Sequence, residues 1–202
     1  EDYPVWSPDG NRVLFNFNAN GPADIYSKAS NGAGAEELVL KSGTNKNPTD
    51  WSRDGRFVLY ENQDPQTHAD LWVLPLSGDK KPQLFLQTPF NETMARFSPD
   101  GKWIAYVSDE SGNPQVYVQT FPSSGGKRQI STQGGYTPRW RGDGKELFYM
   151  SPDRKIMSAV VNGNGTTFEV RSPTALFQTQ VDAANGTNRY DVSPDGQRFL
   201  MS

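Results

Sequence analysis

Phe97-Ser98-Pro99-Asp100-Gly101 decides how this chain is read, because the same pentapeptide recurs with variation four more times. The other copies are Trp6-Ser7-Pro8-Asp9-Gly10, Trp51-Ser52-Arg53-Asp54-Gly55, Trp140-Arg141-Gly142-Asp143-Gly144 and Val192-Ser193-Pro194-Asp195-Gly196. Asp-Gly is kept in all five, and successive aspartates lie 45, 46, 43 and 52 residues apart. A fixed period of this length is an internal repeat and outranks any single element as a guide to architecture. Proline suits position i+1 of a type I turn, and glycine supplies the positive φ that closes it as a bulged hairpin.

In register, each Asp-Gly is followed by two mostly polar or charged residues and then a short, mainly apolar run: Val13-Leu14-Phe15, Val58-Leu59-Tyr60, Ile104-Ala105-Tyr106, Leu147-Phe148-Tyr149 and Phe199-Leu200-Met201. The segments flanking the turn are therefore expected to pair as antiparallel strands A and B. The first four repeats carry a strand C at Asp24–Ser27, Asp70–Val73, Gln115–Val118 and Lys155–Ser158. Strand D follows at Glu37–Leu40, Gln83–Leu86 and Arg128–Ser131. In the fourth repeat it is either Phe168–Val170 or Ala175–Phe177.

Four short strands per unit predict an all-β chain, a β-propeller of four-stranded antiparallel blades, with four complete blades and the first two strands of a fifth. The repeats run over approximately 1–44, 45–90, 91–133, 134–185 and 186–202, forming one propeller domain or propeller fragment. The aromatics that open the turn, Trp6, Trp51, Phe97 and Trp140, are expected in the core between blades. The unfinished fifth blade would leave an open strand edge, which favours a larger ring and allows oligomers through blade edges.

Composition agrees. Of 202 residues, 19 are glycine and 15 proline, only 34% are hydrophobic, and the mean hydropathy is −0.73. These values suit short strands and polar turns rather than long amphipathic helices. The net charge of −3 disfavours a general grip on nucleic acid. No run of 18 apolar residues suggests direct membrane insertion. With no cysteine, disulfides and thiolate metal sites are excluded. His68, the one histidine, lies in the polar segment 64–70. A Ser-His-Asp site would have to use it, and no Gly-x-Ser-x-Gly elbow accompanies it. It reads as an exposed loop residue. The five turn aspartates read as carboxylates accepting turn N–H bonds, not as paired acids. No cofactor, metal site or catalytic residue is indicated.

The Trp-Ser-Pro-Asp-Gly motif, with its apolar strand and a later Asp24-Ile25-Tyr26 or Asp70-Leu71-Trp72, resembles the WD-like repeats of TolB-type β-propellers. That family includes the periplasmic TolB component, propellers that gate prolyl-oligopeptidase-like peptidases, and C-terminal propellers of membrane-anchored bacterial serine/threonine kinases. The stretch from Ala175-Leu176-Phe177-Gln178 to the last turn is most similar to the kinase propellers. Arg53, and Arg141-Gly142, depart from the motif, but Asp-Gly remains in both turns. The resemblance implies a periplasmic or extracellular bacterial protein.

In such a propeller strand A is innermost, so the D–A loops ring one mouth of a central channel. Four residues before the aromatic position stand Asp2, Asn47, Thr93, Tyr136 and Asn188, which differ from blade to blade and are polar or amphipathic. One residue before it stand Val5, Asp50, Arg96, Arg139 and Asp191. Arg96 and Arg139 are candidates for recognising an anion at the mouth. The opposite signs also suggest ion pairs between adjacent blades, such as Asp50 with Arg96. The expected function is a non-catalytic scaffold binding a protein, peptide or small ligand at these loops. The alternatives are a substrate-gating propeller of a prolyl-oligopeptidase-like peptidase, and a propeller glycosidase or lyase.

Overall fold

The hairpin turn behaves as its sequence demands. In the computed structural model, which describes residues 2–18, 21–122, 125–164, 167–181 and 190–202, Gly101 N donates to Ser98 O at 2.9 Å. Gly101 has φ 69°, a conformation that costs any residue with a Cβ about 1 kcal/mol or more. The Ser98 hydroxyl donates to Asp100 Oδ1 at 2.6 Å and accepts from Trp103 N at 3.0 Å, so one serine ties both sides of the turn. Ser7, Ser52 and Ser193 make the same pair of bonds. Where Arg141 replaces serine, its guanidinium grips Asp143 through two contacts of 2.8 Å. The turn aspartates are structural, as expected.

A sixth copy of this turn escaped the sequence pattern. Ser151 Oγ donates to Asp153 Oδ1 at 2.5 Å, and Arg154 N donates to Ser151 O at 3.0 Å. Arg154 stands where glycine stands elsewhere, at φ 63°.

All regular elements among the described residues are strands, and they form the blades of a β-propeller. The first blade orders β1 (Asp2–Trp6), β2 (Arg12–Phe17), β3 (Asp24–Ala29) and β4 (Glu37–Leu40). The second orders β5 (Lys46–Trp51), β6 (Phe57–Asp64), β7 (His68–Pro75) and β8 (Gln83–Leu86). The third holds β9 (Glu92–Phe97), β10 (Trp103–Ser108), β11 (Gln115–Thr120) and β12 (Arg128–Gln129). The fourth holds β13 (Tyr136–Trp140), β14 (Glu146–Met150), β15 (Lys155–Asn164) and β16 (Thr167–Val170). The ambiguous fourth strand D resolves into two strands. The ten-residue β15 pairs β16 along Val161–Asn164 and β17 (Thr174–Gln178) along Lys155–Ser158. The fifth blade is the hairpin β18 (Tyr190–Val192) and β19 (Phe199–Met201).

The chain divides into two compact units, Glu1–Thr93 and Met94–Ser202. Val5, Leu14 and Ile25 of the first blade and Val58, Tyr60 and Leu74 of the second share the core of the first unit, with Trp51 packed against it. In the second unit one core joins Trp103, Ala105, Val116 and Val118 to Leu147, Tyr149, Ala159 and Phe168, with Trp140 against it. Another joins Phe148, Met150 and Ile156 to Tyr190. Each of the larger side chains among these leaves water for an apolar contact worth about 1.5–3 kcal/mol.

Trp6 departs from expectation: it is 60% exposed. The reason lies in the direction of packing. Trp140 leans on the repeat before its own, where its Nε1 donates to Arg96 O at 3.3 Å. Trp6 belongs to the first repeat, so residues 1–202 hold no earlier repeat for it to lean on. His68 is exposed, as expected, and starts β7 in a left-handed conformation, φ 70°.

Candidate binding site on the first strand of each blade

The candidate positions lie three residues apart, an odd step that in a regular strand puts two side chains on opposite faces. A bulge changes this. Asn47 pairs with Glu61 and Asp50 with Leu59, so three steps on β5 match two on β6. Tyr136 pairs with Met150 and Arg139 with Phe148, again three steps against two. Cross-strand neighbours share a face, so in these two blades the two candidate positions come to lie on one face. The bulge recurs in the first blade between Asp2 and Val5. The backbone is left-handed at Tyr3, Met94 and Thr137, each three residues before the aromatic position, with φ of 59°, 56° and 48°. Non-glycine residues held there cost about 1–3 kcal/mol each and cluster at functional sites. In the second blade that place is Pro48, whose ring forbids positive φ.

In the first unit, Asn47 is partly buried. Its Oδ1 accepts from Asn16 Nδ2 at 2.8 Å, and its own Nδ2 donates to Glu61 Oε2 at 3.4 Å. Thr93, partly buried, ends the same unit. Asp2 opens β1 opposite Asn16. Close by in sequence, Lys46 is fully buried against Asp24, with Nζ 3.2 Å from Oδ1 and 2.6 Å from Thr44 O. Burial pushes the Lys46 amine below its usual pKa, opposed by its bond to Asp24.

In the second unit, Tyr136 packs on the core around Phe148, Met150, Ile156 and Tyr190. Arg139 is buried; its Nη1 donates to Pro138 O at 2.9 Å and its Nε lies 3.5 Å from Asp191 Oδ1. Its guanidinium carbon sits 5.6 Å from the centre of the Tyr190 ring, a cation–π distance. An ion pair between neighbouring blades at this position therefore forms, at Arg139 and Asp191. Asp50 and Arg96 fall in different units, and their pairing stays an expectation of the sequence. Asn188 lies outside the described residues. Thr137 and Tyr190 join this group although the sequence pattern singled out neither.

The second unit also holds a cleft of about 170 Å³ beside the Asp-Gly turns, lined by Trp103, Trp140, Phe168, Asp100, Asp143 and Lys145 among others. Its two acids are already engaged by Ser98 and Arg141 in the turns themselves. Among the described residues, no three His, Cys, Asp or Glu side chains are grouped to hold a metal ion.

Comparison with known proteins agrees with the fold. The TolB beta propeller domain family matches residues 63–202. The Tol-Pal system protein TolB of Bordetella pertussis is 30% identical over 114 residues, covering 56% of this chain and 26% of that protein. An uncharacterized protein of Agrobacterium fabrum, Atu1656, is 26% identical over 157 residues, covering 72% of this chain and 53% of its own length. The crystal structure of TolB from Acinetobacter baumannii superposes with a TM-score of 0.71 at 22% identity, over 98% of this chain and 47% of that one. The chain thus spans about a quarter of the Bordetella protein and about half of the Acinetobacter chain. Blades, turns and family profile coincide over most of the sequence: the chain belongs to the TolB β-propeller domain family.

Proposed function

We propose that this chain is a non-catalytic scaffold that binds a protein or peptide through the bulged ends of its first strands, in the periplasm or outside a bacterial cell. One observation carries the reading. The same bulge recurs in the first, second and fourth blades, while the residues it presents change from Asn47 and Asp50 to Tyr136 and Arg139. A repeated local frame that holds different side chains at the same place in each blade suits recognition of an irregular partner. Reaction chemistry would instead need a nucleophile, base or metal converging on one point. The TolB relatives are named as parts of a Tol-Pal system, which supports the extracytoplasmic setting.

The test is affinity capture from a bacterial envelope extract, with the chain and its Asn47→Ala/Thr93→Ala variant compared at equal melting temperature. The reading expects a protein retained by the former and weakened about tenfold or more by the latter, about 1.4 kcal/mol or more. Equal retention overturns it. So does turnover of a peptide or glycoside by the purified chain that a substitution at Tyr136 or Arg139 abolishes.

A further inference from the structure

The fourth and fifth blades hold a polar cluster that the sheet ladders do not account for. Thr137 and Tyr190 are both buried, and neither Thr137 Oγ1 nor Tyr190 OH has a hydrogen-bond partner among the described residues. A buried hydroxyl left so costs about 1–3 kcal/mol, and an acceptor brought between these two adjacent hydroxyls would satisfy both. They are neighbours: the Thr137 hydroxyl and the Arg139 and Arg96 guanidinium groups all act on the phenol. Burial raises the phenol's pKa, which keeps it a neutral donor. The Thr137 N–H reaches Met94 Sδ at 3.3 Å, a weak acceptor for a backbone donor.

These groups are donors and positive charges: a guanidinium, two hydroxyls and a backbone N–H. Among the described residues, an acceptor that faces Arg139 from solvent is the Asp191 carboxylate. Its side chain is 76% exposed, and its 3.5 Å approach to Arg139 is long beside the 2.7–2.9 Å of a close charge-assisted bond. Arg139, by contrast, is held by Pro138 O and by the Tyr190 ring. One side of the ion pair is thus fixed and the other loose.

We propose that Arg139, Tyr190 and Thr137 form a subsite for a carboxylate of the binding partner, and that Asp191 holds the place which this carboxylate takes. On displacement, Asp191 turns to solvent, and the two hydroxyls rotate their protons toward the incoming oxygens. Arg96 adds a second positive charge. The inference rests on the protein- or peptide-binding reading and names the chemistry recognised.

The experiment is isothermal titration of the chain with N-acetyl-trialanine and with its carboxamide. The acid is expected to bind about tenfold more tightly than the amide, the difference a charge-assisted bond makes. Asp191→Asn, an exposed change that removes the competing carboxylate, is expected to tighten acid binding about threefold or more, and Tyr190→Phe to weaken it about fivefold. Equal binding of acid and amide, absence of binding by both, or no gain with Asp191→Asn overturns the proposal. The two readings fail separately. A captured protein indifferent to Asp191→Asn leaves the scaffold reading standing and removes the subsite; an acid preference without any captured protein does the reverse.

Discussion

Replacing Asp24 by asparagine isolates the most exposed weakness of the first unit. The Lys46 side chain is 1% exposed, and its charge is balanced by Asp24 at 3.2 Å. At an effective dielectric near 20, that separation corresponds to about 5 kcal/mol of attraction. Asparagine keeps an amide oxygen for Lys46 Nζ and for Ser42 N, which now donates to Asp24 Oδ1. It therefore retains part of the interaction, and the expected loss is about 3 kcal/mol, within the range for breaking a buried pair. Urea unfolding followed by tryptophan fluorescence at pH 7 measures it. The pH dependence has a definite sign. The folded-state pKa of Lys46 already lies below its unfolded value, and losing Asp24 lowers it further. The penalty is full below the folded pKa and shrinks as pH rises from there toward 10.5, because the unfolded chain then binds more protons. Lys46→Met in the same background removes the stranded charge and is expected to recover most of the loss. A loss below about 1 kcal/mol, or no recovery with Lys46→Met, refutes the claim that this pair is electrostatically coupled in the core.

Three further outcomes follow from the turns and the packing. Arg154→Gly relieves the left-handed arginine at φ 63° and is expected to stabilise by about 1 kcal/mol, read as a rise in urea midpoint. The Asp9 carboxyl is held at about 2 by the Ser7 hydroxyl and Asn11 N–H, and that of Asp143 at about 2 by Arg141 and Lys145 N–H. Their folded pKa values lie below the unfolded 3.8, so their contribution is present above about pH 4 and is lost between about pH 4 and 2. Thermal melts across that range are expected to show a smaller decline for Asp9→Asn than for the unmodified chain. Gly163→Ala would place its Cβ 2.5 Å from Trp103 Nε1; a loss of about 1–3 kcal/mol in the same urea assay is expected.

The fold was legible because its turn admits few sequences. A donor to the aspartate (a serine that bonds both ways in four of the five, Arg141 in the other), the aspartate itself and a residue at positive φ recur, and Asp-Gly marks them at five places. The sixth turn, at Ser151, was hidden because Arg154 adopts the conformation without being glycine. Strand D of the fourth blade looked ambiguous because both candidate segments are strands, each on its own half of β15. Trp6 was misjudged because the repeat shows which position packs but not that it packs on the preceding blade. At the candidate site, the variable residues were visible, and so was opposite charge at adjacent blades. The bulge was not, since no residue type marks it: Tyr3, Pro48 and Thr137 occupy it. Without the bulge the three-residue spacing separates Tyr136 from Arg139, and nothing in the pattern then draws attention to Thr137 or Tyr190.

The central claim is that partners are met at the bulged ends of the first strands, and site-specific photocrosslinking tests it most directly. A benzophenone amino acid would be placed singly at Asn47, Thr93 and Asp191, and at Leu84 and Leu176 as exposed controls on outer strands. The account predicts that protein is captured in cells from each of the first three positions and from neither control. Adducts from Leu84 or Leu176 with none from Asn47, Thr93 or Asp191 would contradict it and move the binding surface to the outer strands.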